Sequence, residues 1–236
     1  MTKTMMRNAW FMTKRDLKVN KWSFLWTFLG GMYFVLILGG LLHVEEDQWS
    51  IAPDLLIVIF PSVLGISFTK DYLNYIKNDT FTKRMALYRT MPIRIEEVVL
   101  ARFLNIIICT IYNTLTLFTV LYFLTERMNG ALTLIPYIGF TITLVGYSMI
   151  MSACYVYYEL GYSGKRYLMT NFVMTILLLI VVIVAGVLNW SITQHLIQGQ
   201  VQYGPLLPAV SILIGCLTWY AGYHITIRHL YRREFR

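Results

Sequence analysis

Apolar and polar positions in this chain are sorted into long blocks, without the short alternations of a soluble fold. Runs of roughly twenty apolar residues occur at about 24–42, 51–68, 98–124, 132–157, 167–188 and 206–227. That is the length an α-helix needs to cross a hydrocarbon core. The expected fold is an all-α polytopic membrane protein with six transmembrane helices, a single membrane domain over 1–236 and no soluble domain. Ahead of the first run, 4–20 interleaves Trp10, Phe11, Leu17 and Val19 with basic residues. This mixture suits an amphipathic helix lying in the membrane interface; a basic tail that only fixes orientation is the alternative. The first run has no Ala-x-Ala exit, so an uncleaved first span is expected. Its Gly30-Gly31 and Gly39-Gly40 pairs permit close helix approach. In the second run Asp54 stands near the outer end, and Pro61 in the middle predicts a kink. The stretch 189–204 carries Trp190, His195, Gln198, Gln200 and Gln202. It is too polar to cross and too amphipathic for a plain loop, so it is expected to rest on or dip into the outer leaflet.

Composition strengthens this picture. Apolar residues make up 57% of the chain and charged residues 14%, far from the usual soluble balance. Of the 20 lysines and arginines, 19 fall in the N-terminal arm, the 70–102 segment, the Lys165-Arg166 loop and the C-terminal tail, and only Arg127 falls opposite. The positive-inside rule then places both termini and the 70–102 segment on the cytoplasmic side. An even number of spans agrees with that count. The net charge of +8 is accounted for by topology, and nucleic acid is not an expected partner. Cys109, Cys154 and Cys216 all lie within apolar runs, where they act as small hydrophobes.

Candidate chemistry is sparse. Glu96-Glu97 followed by Arg102 is similar to the Glu-Glu-x-x-x-Arg signature of intramembrane prenyl-protein proteases, but the spacing is one residue too long and no paired intramembrane histidines accompany it. The plainer reading is two carboxylates at a helix start. His224 and His229 are five apart and fall on different helix faces, so no metal site is expected. Gly161-Tyr-Ser-Gly-Lys-Arg166 lacks the spacing of a phosphate-binding loop. No ionisable group sits near the middle of a span, as a proton- or sodium-coupled carrier requires. Energy is therefore expected from outside the membrane. Two polar stripes remain: Asn105, Cys109, Tyr112, Thr116 and Thr119 on the third span, and Tyr137, Thr141, Ser148, Ser152 and Tyr155 on the fourth. Asn105, Tyr112, Thr116, Thr141, Ser148 and Ser152 are the candidate lining of a path for an amphipathic solute. Packing by small and hydroxyl residues is the competing and favoured reading.

The segment 78–102 organises the rest. An amphipathic piece, Phe81 to Thr90, meets Met91-Pro92, and a second helix starts near Glu96-Glu97. Proline cannot continue the first helix, so a bent two-helix elbow is expected. Leu87-Tyr-Arg-Thr-Met-Pro-Ile-Arg-Ile-Glu-Glu-Val-Val-Leu-Ala-Arg102 resembles the Leu-Pro-Ile-Ser-Arg-x-Glu-Ile-Val segment of ABC transporter permeases of the type-2 exporter class. Met91 and Arg94 stand where leucine and serine are commoner there. In that family the segment includes the coupling helix between spans two and three. The resemblance implies a half-permease that pairs with a second permease chain, as a homo- or heterodimer, and with separate ABC ATPase subunits. It implies no cofactor on this chain, with ATP and Mg on the partner ATPase. It also implies ATPase contacts at Phe81, Arg84, Met85, Tyr88, Arg89, Met91, Pro92 and Arg94. The function so implied is outward movement of a peptide, antimicrobial or lipid-like substrate. A membrane sensor or immunity protein without transport is the alternative, and an intramembrane protease the minor one.

Overall fold

The computed structural model describes residues 3–41, 51–65, 80–129 and 133–233, all of it helix and short connections. Within these segments the side chains of Phe81 and Arg89 are not described. The helices are α1 (Lys3–Val19), α2 (Lys21–Leu41), α3 (Ile51–Ser62), α4 (Thr80–Thr90), α5 (Ile95–Asn113), α6 (Thr119–Asn129), α7 (Leu134–Gly161), α8 (Gly164–Val187), α9 (Ile192–Tyr203) and α10 (Leu206–Arg232). A π-turn, Thr114–Phe118, joins α5 to α6. Five helical stretches among the described residues are long and apolar enough to cross a membrane: 21–40, 95–124, 134–161, 164–187 and 206–232. The chain is thus an all-helical protein of membrane-embedded character. α3 has the same apolar character, but its 12 helical residues are shorter than a crossing requires.

Contacts between elements define two ends of the bundle. At one end lie α1, α4, the start of α5 and the last turns of α7 and α10. Asn8 Nδ2 donates to Glu97 Oε1 at 3.0 Å, Tyr231 donates to Glu96 at 2.7 Å, and Arg233 donates to the Leu160 carbonyl at 2.8 Å and to Thr82 at 3.2 Å. This end therefore gathers the N-terminal arm, the elbow and the C-terminal tail. At the other end Asp54, 3% exposed, caps α9. Its carboxylate accepts from the backbone N–H groups of Ile192 and Thr193 at 2.9 and 2.8 Å and from the Ser191 hydroxyl at 3.2 Å. An anion at a helix N-terminus satisfies donors that have no partner within the helix. The polar stretch after α8 is a short helix as its sequence predicts, and this cap pins it to α3, far from it in sequence.

Each end has its own apolar cluster. Val35, Ile57, Phe60, Leu117, Phe118 and Phe140 belong to the α9 end. Met85, Val98, Val99, Phe103, Val156 and Leu230 belong to the elbow end.

α3 stops just after Pro61. Proline supplies no N–H to the ladder, and the chain tightens into Val63–Phe60 and Leu64–Pro61 turns. Asn113 Nδ2 then donates to the buried Leu64 carbonyl at 2.7 Å, and the Tyr147 hydroxyl donates to the Val58 carbonyl at 3.1 Å. Freed backbone groups at this depth need such partners from neighbouring helices. The run expected over 51–68 is helical only to Ser62, and residues 66–68 lie outside the described residues.

Two further boundaries differ from expectation. The expected loop at 158–166 is mostly helix: α7 runs through Gly161 and α8 begins at Gly164. Tyr158 is held by ring contacts with Tyr157 and Tyr162, and His229 stacks on Tyr162 at 4.9 Å. Aromatic packing of this kind extends an apolar helix past the point where sequence polarity rises. The third span starts at Ile95 and not at 98, because Arg94, in extended conformation, offers its carbonyl to the N–H groups of Glu97 and Val98.

α7 and α10 make the most extensive contact in the structure. In lipid there is no hydrophobic drive between apolar helices, so close backbone approach must supply the packing. Gly146 faces Ser211 and Gly215 faces Met149. A Cβ on Gly146 would stand 2.6 and 2.7 Å from the Ser211 carbonyl carbon and oxygen, and one on Gly215 would stand 3.0 Å from the Gly146 carbonyl. Ser211 also donates to the Thr143 carbonyl at 2.8 Å, and Trp219 Nε1 donates to the Met149 carbonyl at 2.6 Å. Gly31 plays the same part between α2 and Leu117, whereas Gly40 has nothing within 4 Å. Gly146→Val is expected to lower stability by about 1–3 kcal/mol through overpacking against backbone. Gly40→Ala should leave it nearly unchanged, as thermal scanning of the solubilised protein will read.

Candidate functional site

The elbow is built as the sequence predicts: α4 ends at Thr90, Met91 and Pro92 turn the chain, and α5 starts at Ile95. Thr90 back-bonds to the Leu87 carbonyl at 2.8 Å, and the Met91 N–H reaches the Tyr88 carbonyl at 3.3 Å, which closes the last turn of α4. The backbone is extended at Arg94 before α5 begins.

The elbow has two unlike faces. One is folded into the chain. Met85 is 3% exposed and belongs to the apolar cluster with Val98, Val99 and Phe103. Arg84 forms an ion pair with Asp16 of α1 and donates from Nε to the Tyr88 hydroxyl at 2.9 Å. Its guanidinium also lies over the Tyr88 ring, 5.6 Å from the centroid, a geometry with its own attraction. The other face points away: Lys83, Leu87, Thr90, Met91, Pro92 and Arg94 are exposed. Lys83, Leu87 and Thr90 follow helical spacing and so share one side of α4, and Met91, Pro92 and Arg94 of the following turn are exposed beyond its end. Of the eight elbow residues singled out from the sequence, Met91, Pro92 and Arg94 lie on the outward face, and Arg84, Met85 and Tyr88 are engaged within the chain. Phe81 and Arg89 lie outside the described side chains. Lys83 and Leu87 share the outward face and were missed, because amphipathicity shows that a helix has two faces and does not show which one the rest of the chain covers.

Beneath the inward face lies a water-sized cavity of about 30 Å³, lined by Met12, Asp16, Arg84, Tyr88, Arg102, Glu159 and their apolar neighbours. Arg102 of α5 pairs with Glu159 of α7, Nη2 to Oε2 at 2.8 Å and Nε to the same oxygen at 2.9 Å. Both side chains are largely withdrawn from solvent, at 17% and 6% exposure. Two opposed ion pairs thus line one small cavity: Asp16–Arg84 ties α1 to α4, and Arg102–Glu159 ties α5 to α7. Displacement of α4 would be felt directly by α1 and, across the cavity, by two long apolar helices. Neither Asp16 nor Glu159 stands out in the sequence; Glu159 sits four residues after the fourth-span stripe and reads there as a loop residue.

Glu96 and Glu97 face different partners. Glu97 is buried and accepts from Asn8, while Glu96 accepts from Tyr231. They bind α1 and α10 to the elbow. Among the described residues no group of three or more His, Cys, Asp or Glu side chains is placed to hold a metal ion.

The two polar stripes are largely absorbed in packing. Asn105 is buried and accepts from Cys109. Tyr112 meets Phe24 edge-on, ring centroids 5.2 Å apart. Thr116 donates to the Tyr112 carbonyl at 2.8 Å and Thr141 to the Tyr137 carbonyl at 3.0 Å, each within its own helix. Ser152 donates to the Met149 carbonyl at 2.9 Å and accepts from Trp219 at the same distance. Ser148 is fully buried, and its hydroxyl has no partner among the described residues. Among the described residues, five of the six make contacts within or between helices.

No family model matches the chain, and neither a curated protein nor a solved structure matches it. Assignment therefore rests on the geometry.

The ion pairs generate a direct test. Arg102→Met strips Glu159 of its guanidinium partner and should destabilise the protein by about 3 kcal/mol or more, as removal of one member of a buried pair does. Arg102→Met combined with Glu159→Met should recover most of the loss, as a double-mutant cycle on the melting temperature will read.

Proposed function

We propose that this chain is the membrane-spanning subunit of an ATP-driven exporter of the ABC type-2 class, with ATP and Mg bound on separate ATPase subunits. The observation that carries the reading is the elbow. One face of a short helix is locked to other helices of the chain, its opposite face presents Lys83, Leu87 and Thr90, and the turn that follows presents Met91 and Arg94. A rigid basic and apolar knob at the end of a membrane bundle suits docking into a cleft on a soluble motor. Motion of that motor would pass through Arg84–Asp16 and Arg102–Glu159 to the long helices. The resemblance of Leu87 to Arg102 to a coupling segment points the same way.

On this reading the end of the bundle holding α1, the elbow and the C-terminal tail is cytoplasmic in a bacterial plasma membrane, since it carries most of the basic residues. α3 supplies the outer part of a sixth crossing. Its first residues lie with α9 at the far end, whereas α4 lies at the elbow end. A second permease chain, identical or related, completes the pathway, which also accounts for stripes that do not enclose a path within one chain. The substrate class is an amphipathic peptide, antimicrobial or lipid-like molecule.

Capture of a soluble ATP-hydrolysing protein by the tagged full chain is the first test; a sensor or immunity protein would retain none. Leu87→Asp with Met91→Asp should weaken that capture, and the ATP hydrolysis that depends on it, at least about tenfold, the scale of losing an interface hot spot. The variant should keep its melting temperature, because both positions are exposed. Met85→Asp should instead lower the melting temperature by burying a charge. Undiminished capture by the Leu87/Met91 variant would sink the docking assignment.

A further inference from the structure

A second feature at the same end of the molecule is unused by the coupling reading. α1 does not merely lie beside the bundle. Ala9 and Thr13 are fully buried, and the Thr13 hydroxyl donates to the Ala101 carbonyl of α5 at 3.0 Å. With Asn8 on Glu97, these contacts seat the middle of α1 against the first two turns of α5, about 10 Å of helix. That is the depth at which a membrane-crossing helix leaves the hydrocarbon.

Between α1 and the Pro92-Ile93 turn lies an open groove of about 390 Å³, lined by Arg7, Asn8, Phe11, Met12, Pro92, Ile93 and Glu97. Most of this lining is apolar. Glu97 is buried beneath the groove and accepts from Asn8, and Asp16, the one acidic residue of α1, is paired with Arg84. Arg7 makes no ion pair among the described residues, and it is exposed at the groove. Phe11, 69% exposed, follows one turn later on the same face, with Lys14 and Lys18 beyond it. An aromatic and apolar floor beside an exposed arginine that has no ion-pair partner among the described residues complements a molecule with an acyl chain and an anionic head.

We infer that this groove is a binding site for an anionic phospholipid of the leaflet that faces the elbow. The phosphate sits on Arg7, and the glycerol and upper acyl chain lie along Phe11, Met12, Pro92 and Ile93. The bound lipid touches both α1 and the turn between α4 and α5, so it braces the elbow from the membrane side. The inference rests on the membrane placement of the bundle and not on the transport reading.

The test is lipid retention by the full chain in detergent micelles given equal amounts of dioleoyl phosphatidylglycerol and dioleoyl phosphatidylcholine, read by native mass spectrometry. Phosphatidylglycerol is retained in preference, and Arg7→Gln lowers the ratio of the two lipids about fivefold, the scale of one basic side chain at an anionic surface. Phe11→Ala reduces retention of both lipids. Lys165→Gln, in the first turn of α8, leaves the ratio unchanged. Equal retention of the two lipids by the unaltered chain overturns the assignment, as does an unchanged ratio in Arg7→Gln. An equal loss in Lys165→Gln reveals diffuse surface charge and overturns it too. Displacement of the lipid by glycerol 3-phosphate alone would show a site for the free anion and not for a lipid.

Discussion

A carboxylate withdrawn from water at the edge of an apolar bundle must find donors, and this structure uses that requirement to fix its shape. Asp54 of α3 takes the backbone N–H groups of α9. Glu97 of α5 takes Asn8 of α1, Glu159 of α7 takes Arg102 of α5, and the half-buried Asp16 of α1 pairs with Arg84 of α4. Every one of these partners lies far away in sequence. Van der Waals packing between lipid-facing helices is permissive about rotation and register; an unpaired buried charge is not. The acidic residues therefore act as tethers, each choosing one arrangement among many that would pack equally well.

The tethers are unevenly distributed. Three of the four close the end that holds α1 and the elbow, and one holds α9 at the opposite end. Between them the bundle relies on close backbone approach, with Gly146 against Ser211 and Gly31 against Leu117. It also relies on hydroxyl and amide groups that satisfy the broken ladder after Pro61. A rigid charged end joined to a middle held by small residues and bent helices is suited to receiving a push and passing it on. The asymmetry of the elbow follows from the same tethers, because the residues that lock it inward leave a defined outward face.

This arrangement changes what the polar stripes mean. Hydroxyl groups at helical spacing in an apolar run have two ways to be satisfied: their own backbone one turn away, or a neighbouring helix. Thr116 and Thr141 take the first route and Ser152 takes both. In the absence of water each such bond is worth making, so hydroxyl periodicity in a span records packing at least as readily as it records a pathway.

The sequence by itself determined the character of the chain. Blocks of apolar residues long enough to cross a bilayer dictate helices, since no other open structure satisfies its own backbone in lipid. Proline at 92 dictated the elbow, and the polar interruption at 189–204 dictated a separate short helix. These are local consequences of backbone chemistry, which is why they could be read from residue order. Tertiary structure alone decided which face of the elbow is covered. It also decided that Glu159 is a helical ion-pair partner and no loop residue, that Glu96 and Glu97 hold neighbouring helices, and that Arg7 is left uncompensated beside an apolar groove. The pairings among them reach across 57 to 135 residues of sequence. Hydrophobic pattern, with its period of one helical turn, carries no information at that range.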